Sequence, residues 1–207
     1  MFTGPYGVGE NGTWQEWLLA RPEDLAFVPD AIDDVVAASL PVAYLTAQIT
    51  LTLAGFKPGM TVLAPGIGGS VGNATYQLAR AQGAGKVTST AGSAAKAARA
   101  RELGFEDVII VIESIGGAVT SEALSSLGLG GVLITLGYSA GRKTTIDVTD
   151  LIWKRARMAG FSLFAQSPTA IFRLAGHHPA DRARIGQADR RAGLSARRGG
   201  RSLAPSD

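Results

Sequence analysis

Hydrophobic and polar positions alternate between two periods along this chain, and that alternation predicts its elements. Thr61, Val62 and Leu63 form a short β-branched and apolar run that enters a glycine-rich turn, after which Ala74, Leu78 and Ala81 recur at helical spacing until Gly83. Lys86–Thr90 (K-V-T-S-T) reads as a second strand, and Ser93 caps a helix, A-A-K-A-A-R-A-R-E-L, that Gly104 ends. Asp107–Glu113 is a continuous apolar run of the kind buried on both faces, followed by a helix over Val119–Leu127 and a strand over Gly131–Gly137. After a loop at Tyr138–Arg142 come a helix over Val148–Arg157 and a last strand over Ala159–Phe164. Strand and helix alternate throughout, the pattern of an α/β fold with a parallel sheet.

The first sixty residues are less regular. Residues 1–12 carry four glycines and little periodicity and read as loop; Thr13–Leu19 reads as a strand with Trp14 and Trp17 as packing residues. Leu25–Val28, between Pro22 and Pro29, reads as extended, and a helix begins at Asp30 with acids in its first turn. Pro41 is expected to separate that helix from a second, Tyr44–Gly55. Val35–Phe56 is uncharged over a length that could cross a bilayer, but Pro41, Gln48, Ser39 and its threonines favour a buried helix.

Composition narrows the class. A chain of 207 residues with 46% hydrophobic and 18% charged residues suits one good-sized globular domain, or one plus a fragment. The absence of cysteine excludes disulfides and thiolate zinc sites. The start lacks the basic and apolar regions of a signal peptide, so a cytoplasmic location is expected. Of the net charge of +3, residues 175–207 carry +4 from seven arginines and three aspartates, leaving −1 for the rest. That tail is poor in aliphatic residues and reads as a disordered basic segment; without aromatic residues to stack on bases, it is not expected to bind nucleic acid.

The candidate chemistry lies in the turn after Leu63. Gly66, Gly69 and Gly72 spell G-x-x-G-x-x-G, related to the dinucleotide fingerprint in which glycines admit a pyrophosphate to the free amides of a helix start. A glycine-rich turn without chemistry fits the same letters. In the NAD form an acid about 20 residues on binds the ribose. Here Ser89 and Thr90 stand at that distance, and no carboxylate occurs between Val35 and Arg101, a span holding six cations. Ser93 and Lys96 stand just past the second strand, where a 2′-phosphate would lie, so NADP(H) is favoured over NAD(H). Solvation of a helix face is the alternative for Lys96 and Arg99.

Several ordered motifs together resemble the medium-chain dehydrogenase/reductase superfamily, and within it the zinc-independent quinone oxidoreductases. They are L-P-V-A-Y-L-T-A (40–47), A-G-F-K-P-G-M-T-V-L (54–63), G-I-G-G-S-V-G (66–72), T-A-G-S-A-A-K-A-A-R-A-R-E-L-G (90–104), V-I-E-S-I-G-G (111–117), G-G-V-L-I-T-L-G-Y-S-A-G (130–141) and M-A-G-F-S-L-F (158–164). Together they span about three quarters of the chain. The resemblance implies a Rossmann-type, doubly wound parallel sheet over residues 29–174, with residues 1–28 as a remnant of a GroES-like domain. It implies NADPH as hydride donor to a quinone or α,β-unsaturated carbonyl, and a homodimer built on the strand matching Gly160–Phe164.

By position, the same resemblance gives Gly69, Ser70 and Val71 to the pyrophosphate, Thr46 to the nicotinamide ribose, Lys96 to the 2′-phosphate and Gly137, Tyr138 and Ser139 to the nicotinamide side. No catalytic residue and no metal ligand follow. Against the family pattern, most of the GroES-like domain is missing, and a strand, a helix and another strand are missing where the matching segments abut at Ile110. The basic tail is also unlike the family's. The rival expectation is therefore a non-catalytic nucleotide-binding or dimerisation remnant of that family.

Overall fold

In the computed structural model, residues 6–7, 11–105, 108–110, 116–139 and 141–166 are described. The elements in chain order are α1 (Asp34–Leu53), β1 (Thr61–Ala64), α2 (Ser70–Ala81), β2 (Lys86–Ala91), α3 (Ala94–Glu102), β3 (Val108–Ile110), α4 (Ala118–Ser125), β4 (Val132–Thr135), α5 (Val148–Trp153) and β5 (Arg157–Gly160). Short 3₁₀ turns stand at Pro22–Asp24 and Leu163–Ala165. The basic tail from residue 175 lies outside the described residues.

All described pairings are parallel, as βαβ connections require. β2 is the middle strand of a sheet ordered β1-β2-β3, with Val62 opposite Val87 and Ala64 opposite Ser89. β4 and β5 form a separate pair, with Thr135 opposite Gly160. The Rossmann-type α/β architecture with parallel strands is present, and its described strands fall into two hydrogen-bonded groups rather than one continuous sheet.

The core sits between β1, β2 and the helices that cover them. Leu51, Ala64, Ile67, Tyr76, Ala79, Val87, Ala91, Ala97 and Ala100 form one buried cluster. Small residues dominate it, so the helices approach the sheet closely and burial is gained through many short contacts. A second cluster joins Ala43 and Ala47 of α1 to Ala74 of α2, and Gln82 Nε2 donates to Gln48 Oε1 across the same pair of helices at 2.6 Å.

Three expectations from the sequence give way to the structure. Pro41 does not divide two helices; α1 runs through it, starting at Asp34 with Asp33 as its cap (Val36 N–H to Asp33 Oδ1, 2.8 Å). An interior proline costs a helix about 3 kcal/mol, and packing offsets it: Ala37, Ala43, Thr46, Ala47, Ile49 and Leu51 are buried on both sides of the proline. Thr13–Leu19 forms no strand, and Trp14 and Trp17 are exposed, because no described strand lies beside the segment to pair with it. The helix expected to reach Arg157 ends at Trp153; the chain turns at Arg155 (φ 48°), and Arg157 already begins β5. The last strand therefore ends at Gly160, with Phe161 N–H donating to Thr135 O at 3.0 Å. The expected strand over Asp107–Glu113 is described only at Val108–Ile110.

α4 and α5 are joined by a polar triad. Lys154 Nζ lies 2.7 Å from Asp150 Oδ1 and also donates to Ser125 O, while the Ser125 hydroxyl donates to Asp150 Oδ2. The lysine ammonium first and the serine hydroxyl second hold the Asp150 carboxyl below its ordinary value of 3.8. A carboxyl so depressed stabilises the fold above its unfolded-state value and loses that contribution as pH falls through the folded-state value. Asp150→Asn should therefore lower the melting temperature at pH 7, and its deficit against wild type should shrink as the pH is taken below 3.8.

Tyr76 generates a second prediction. Its ring stacks edge-on against Phe105, 5.1 Å between centroids, but its buried hydroxyl has no hydrogen-bond partner among the described residues. Leaving such a group dry costs about 1–3 kcal/mol. Tyr76→Phe should stabilise the fold by about 1 kcal/mol, seen as a higher midpoint in urea with unchanged slope.

Candidate functional site

The glycine loop between β1 and α2 is fastened to β2 by a single residue. Thr90 accepts twice: its Oγ1 takes the Gly66 N–H at 2.9 Å and its carbonyl takes the Ile67 N–H at 2.8 Å. One residue earlier, the fully buried Ser89 hydroxyl donates to Ala64 O, joining the ends of β1 and β2. Gly66 turns the chain at φ 80°, a conformation that side chains disfavour. Gly69 N–H folds back onto Gly66 O at 2.8 Å.

These bonds decide which loop amides can meet a ligand. The Gly66 and Gly69 amides are satisfied by the protein itself, which corrects their expected part in gripping a pyrophosphate; both serve to shape the turn. The first intrahelical donor of α2 is Asn73, to Gly69 O at 3.0 Å. Ser70, Val71 and Gly72 therefore open the helix with N–H groups that have no partner among the described residues. No side chain caps this end either, since the cap position is Gly69. Unpaired amides at the positive end of a 12-residue helix are the kind of helix start that suits an anion.

Gly72 makes that approach possible. A Cβ there would fall 2.2 Å from Pro65 O and 2.4 Å from Gly66 O, so only glycine lets α2 begin so close to the strand end. Lys96 lies beside the loop: its Cδ is 3.9 Å from where a Cβ on Gly68 would stand. Lys96 is exposed and makes no ion pair among the described residues, unlike Arg99, which pairs with Glu102 at 3.0 Å. Ser93 caps α3 by accepting the Lys96 N–H at 3.2 Å, and its hydroxyl hydrogen is not committed to a described acceptor.

The other expected residues lie further along the chain. Thr46 is buried in α1, in the same helical turn as Ala43 and Ala47, which pack against α2. Gly137, Tyr138 and Ser139 follow the carboxyl end of β4. The Tyr138 ring is exposed and carries the Arg142 guanidinium 5.2 Å above its centroid. This backbone touches the turn before α4, a Cβ on Gly116 falling 3.1 Å from Tyr138 Cα and 2.8 Å from Gly141 O. Thr90 draws notice in the sequence only for its lack of charge, yet it carries the loop. A threonine at the carboxyl end of the strand next to a glycine loop is itself a signal, because that position meets the loop's first amides.

Known proteins give this geometry its context. No family model matches the chain. Human quinone oxidoreductase is 29% identical over 181 residues, which cover 76% of this chain and 54% of that protein. Erythronolide synthase EryA2 of Saccharopolyspora erythraea is 35% identical over 163 residues, 67% of this chain but 4% of that protein. Among solved structures, an alcohol dehydrogenase of Sinorhizobium meliloti 1021, assigned as such by likeness, superposes with a TM-score of 0.71 at 25% identity, covering 90% of this chain and 60% of that one. The quinone oxidoreductase of Thermus thermophilus, solved also with NADPH, gives a TM-score of 0.64 at 24% identity over 83% of this chain and 66% of that one. The chain thus spans about half the length of its quinone oxidoreductase relative and a small part of the synthase. The relatives and structural neighbours are thus quinone oxidoreductases and alcohol dehydrogenase superfamily proteins, consistent with a quinone oxidoreductase-like member of the medium-chain dehydrogenase/reductase superfamily.

Proposed function

We propose that the chain binds NADPH at the glycine loop and serves hydride transfer to a quinone or an α,β-unsaturated carbonyl. The observation that carries the reading is the run of amides at Ser70, Val71 and Gly72, which have no partner among the described residues, with Lys96, which makes no ion pair among them, beside Gly68. The amides suit a diphosphate, and Lys96 with the Ser93 hydroxyl suits a further phosphoryl group on the adenosine ribose. The Thermus quinone oxidoreductase was solved in complex with NADPH and a Salmonella enterica oxidoreductase of the same fold with NADP, which supports the same choice here.

NADPH would supply two electrons and one hydrogen as hydride, and a proton from solvent completes reduction of a quinone to its hydroquinone. The chain's residues then have only to hold and orient: Ser70, Val71 and Gly72 at the diphosphate, Thr46 at the nicotinamide ribose, and Gly137, Tyr138 and Ser139 at the nicotinamide side. Positioning supplies the rate, so no side chain is required as acid or base. Zinc has no part in the proposal, in keeping with a sequence that has no cysteine.

The domain reading goes with it: residues 1–28 as a remnant of the GroES-like domain, 29–174 as the dinucleotide-binding domain, and 175–207 as a basic tail. The protein is soluble and cytoplasmic on this view, and the exposed strand β5 supports a homodimer formed along its edge. One observation favours a second reading, a nucleotide-binding remnant without turnover: among the described residues, β4 and β5 are not hydrogen-bonded to the sheet that holds the loop. NADPH consumption with a naphthoquinone separates the two, since binding without turnover is the remnant's signature.

Titrated by its own fluorescence, NADPH should bind at least tenfold tighter than NADH, and Lys96→Gln should remove most of that difference. Equal affinities for the two nucleotides in wild type would contradict the role of Lys96. Gly72→Ala should abolish binding of both nucleotides, because the methyl group forces α2 away from the loop, and it should lower the melting temperature as well. Thr90→Val removes one of the two loop fastenings and should weaken NADPH by about tenfold, roughly the value of one hydrogen bond (~1.4 kcal/mol).

A further inference from the structure

At the carboxyl end of β4 the chain forms a second polar cluster that the dinucleotide reading does not use. An open groove of about 970 Å³ lies between the first turns of α4 and the segment after Gly141, lined by Ser121, Glu122, Arg142, Lys143, Thr144 and Thr145. Its charged groups sum to +1. Among the described residues, Arg142, Lys143 and Glu122 form no ion pair with one another or with any other group. Three charges that share a groove and have no ion-pair partner among the described residues can meet a ligand.

Arg142 also has a local partner. Its guanidinium carbon lies 5.2 Å from the centroid of the Tyr138 ring, a cation–π contact. A guanidinium that rests against a ring and can offer a two-pronged set of donors suits a two-oxygen anion better than a lysine ammonium does. The hydroxyls of Ser121, Thr144 and Thr145 line the same space and can donate to the remaining oxygens. Close backbone approach of Gly116 to Tyr138 and to Gly141 ties the two walls to each other.

The geometry points to this groove as the seat of an anionic group on the hydride acceptor, so that the protein selects a carboxylate- or sulfonate-bearing quinone or enone over its neutral counterpart. The inference rests on the oxidoreductase reading, which assigns Gly137–Ser139 to the reacting end of the cofactor. An acceptor anchored by its anion on Arg142 would present its body to Tyr138. Glu122 in the same groove opposes a multiply charged anion and favours a single negative group.

Binding of 9,10-anthraquinone-2-sulfonate and of neutral 2-hydroxymethyl-9,10-anthraquinone to the full chain, followed by quenching of tryptophan emission with and without saturating NADP⁺, tests this. The sulfonate should bind at least tenfold tighter at low salt, and the gap should narrow at high salt, as exposed charges require. The double variant Arg142→Gln/Lys143→Gln should erase the preference; Arg142→Lys, which keeps the charge and loses the guanidinium's paired donors, should keep part of it. Equal affinities in wild type, a preference that survives the double variant, or no binding of either quinone overturns the inference. A parallel titration with NADP⁺ reports on the cofactor reading by itself: if NADP⁺ fails to bind while the sulfonate preference holds and depends on Arg142 and Lys143, the groove stands and the dinucleotide assignment falls.

Discussion

Two hydrogen bonds to Thr90 hold this structure's working edge in place. The loop after β1 contains four glycines in the seven residues 66–72, and a chain so free would spread over many conformations if nothing stopped it. By taking the Gly66 and Ile67 amides, Thr90 fixes the turn where it leaves the strand. The bond from Gly69 back to Gly66 then closes the turn and sets the start of α2. What remains unpaired is the helix end itself, at Ser70, Val71 and Gly72. The protein consumes the amides it needs for shape and leaves the first amides of α2 without a partner among the described residues, the arrangement on which the proposed diphosphate site rests.

The described strands form two hydrogen-bonded groups, β1-β2-β3 and β4-β5, and among the described residues no strand joins β1 to β4. The glycine-loop edge and the segment after β4 are therefore each built on their own strand group. Each keeps local support: Thr90 for the first, and the Gly116 contact with Tyr138 and Gly141 for the second.

Much of this was legible in the letters. β1, the glycine turn, α2, β2 and the Ser93 cap followed from period, capping residues and glycines, because each is decided by neighbours close in sequence. The parts that were not legible depend on distant partners. Pro41 sits inside α1 because alanines on either side of it pack into the interior, including Ala43 and Ala47 against Ala74, and no local signal announces that. Trp14 and Trp17 read as packing residues, yet lie exposed, since no described strand stands beside them to give their segment a face. At the site, the helix-opening amides were foreseen as a group, but the withdrawal of Gly66 and Gly69 from that group needed the position of Thr90 across the sheet.

The central claim is that α2 opens on three amides free to bind a diphosphate, with Lys96 beside them. Amide chemical shifts followed by nitrogen-correlated NMR during a titration with NADP⁺ test it most directly. The largest changes should fall on Ser70, Val71, Gly72 and Lys96, with Gly66 and Ile67 little moved because Thr90 already holds them. Changes scattered elsewhere, or none at saturating nucleotide, would contradict it.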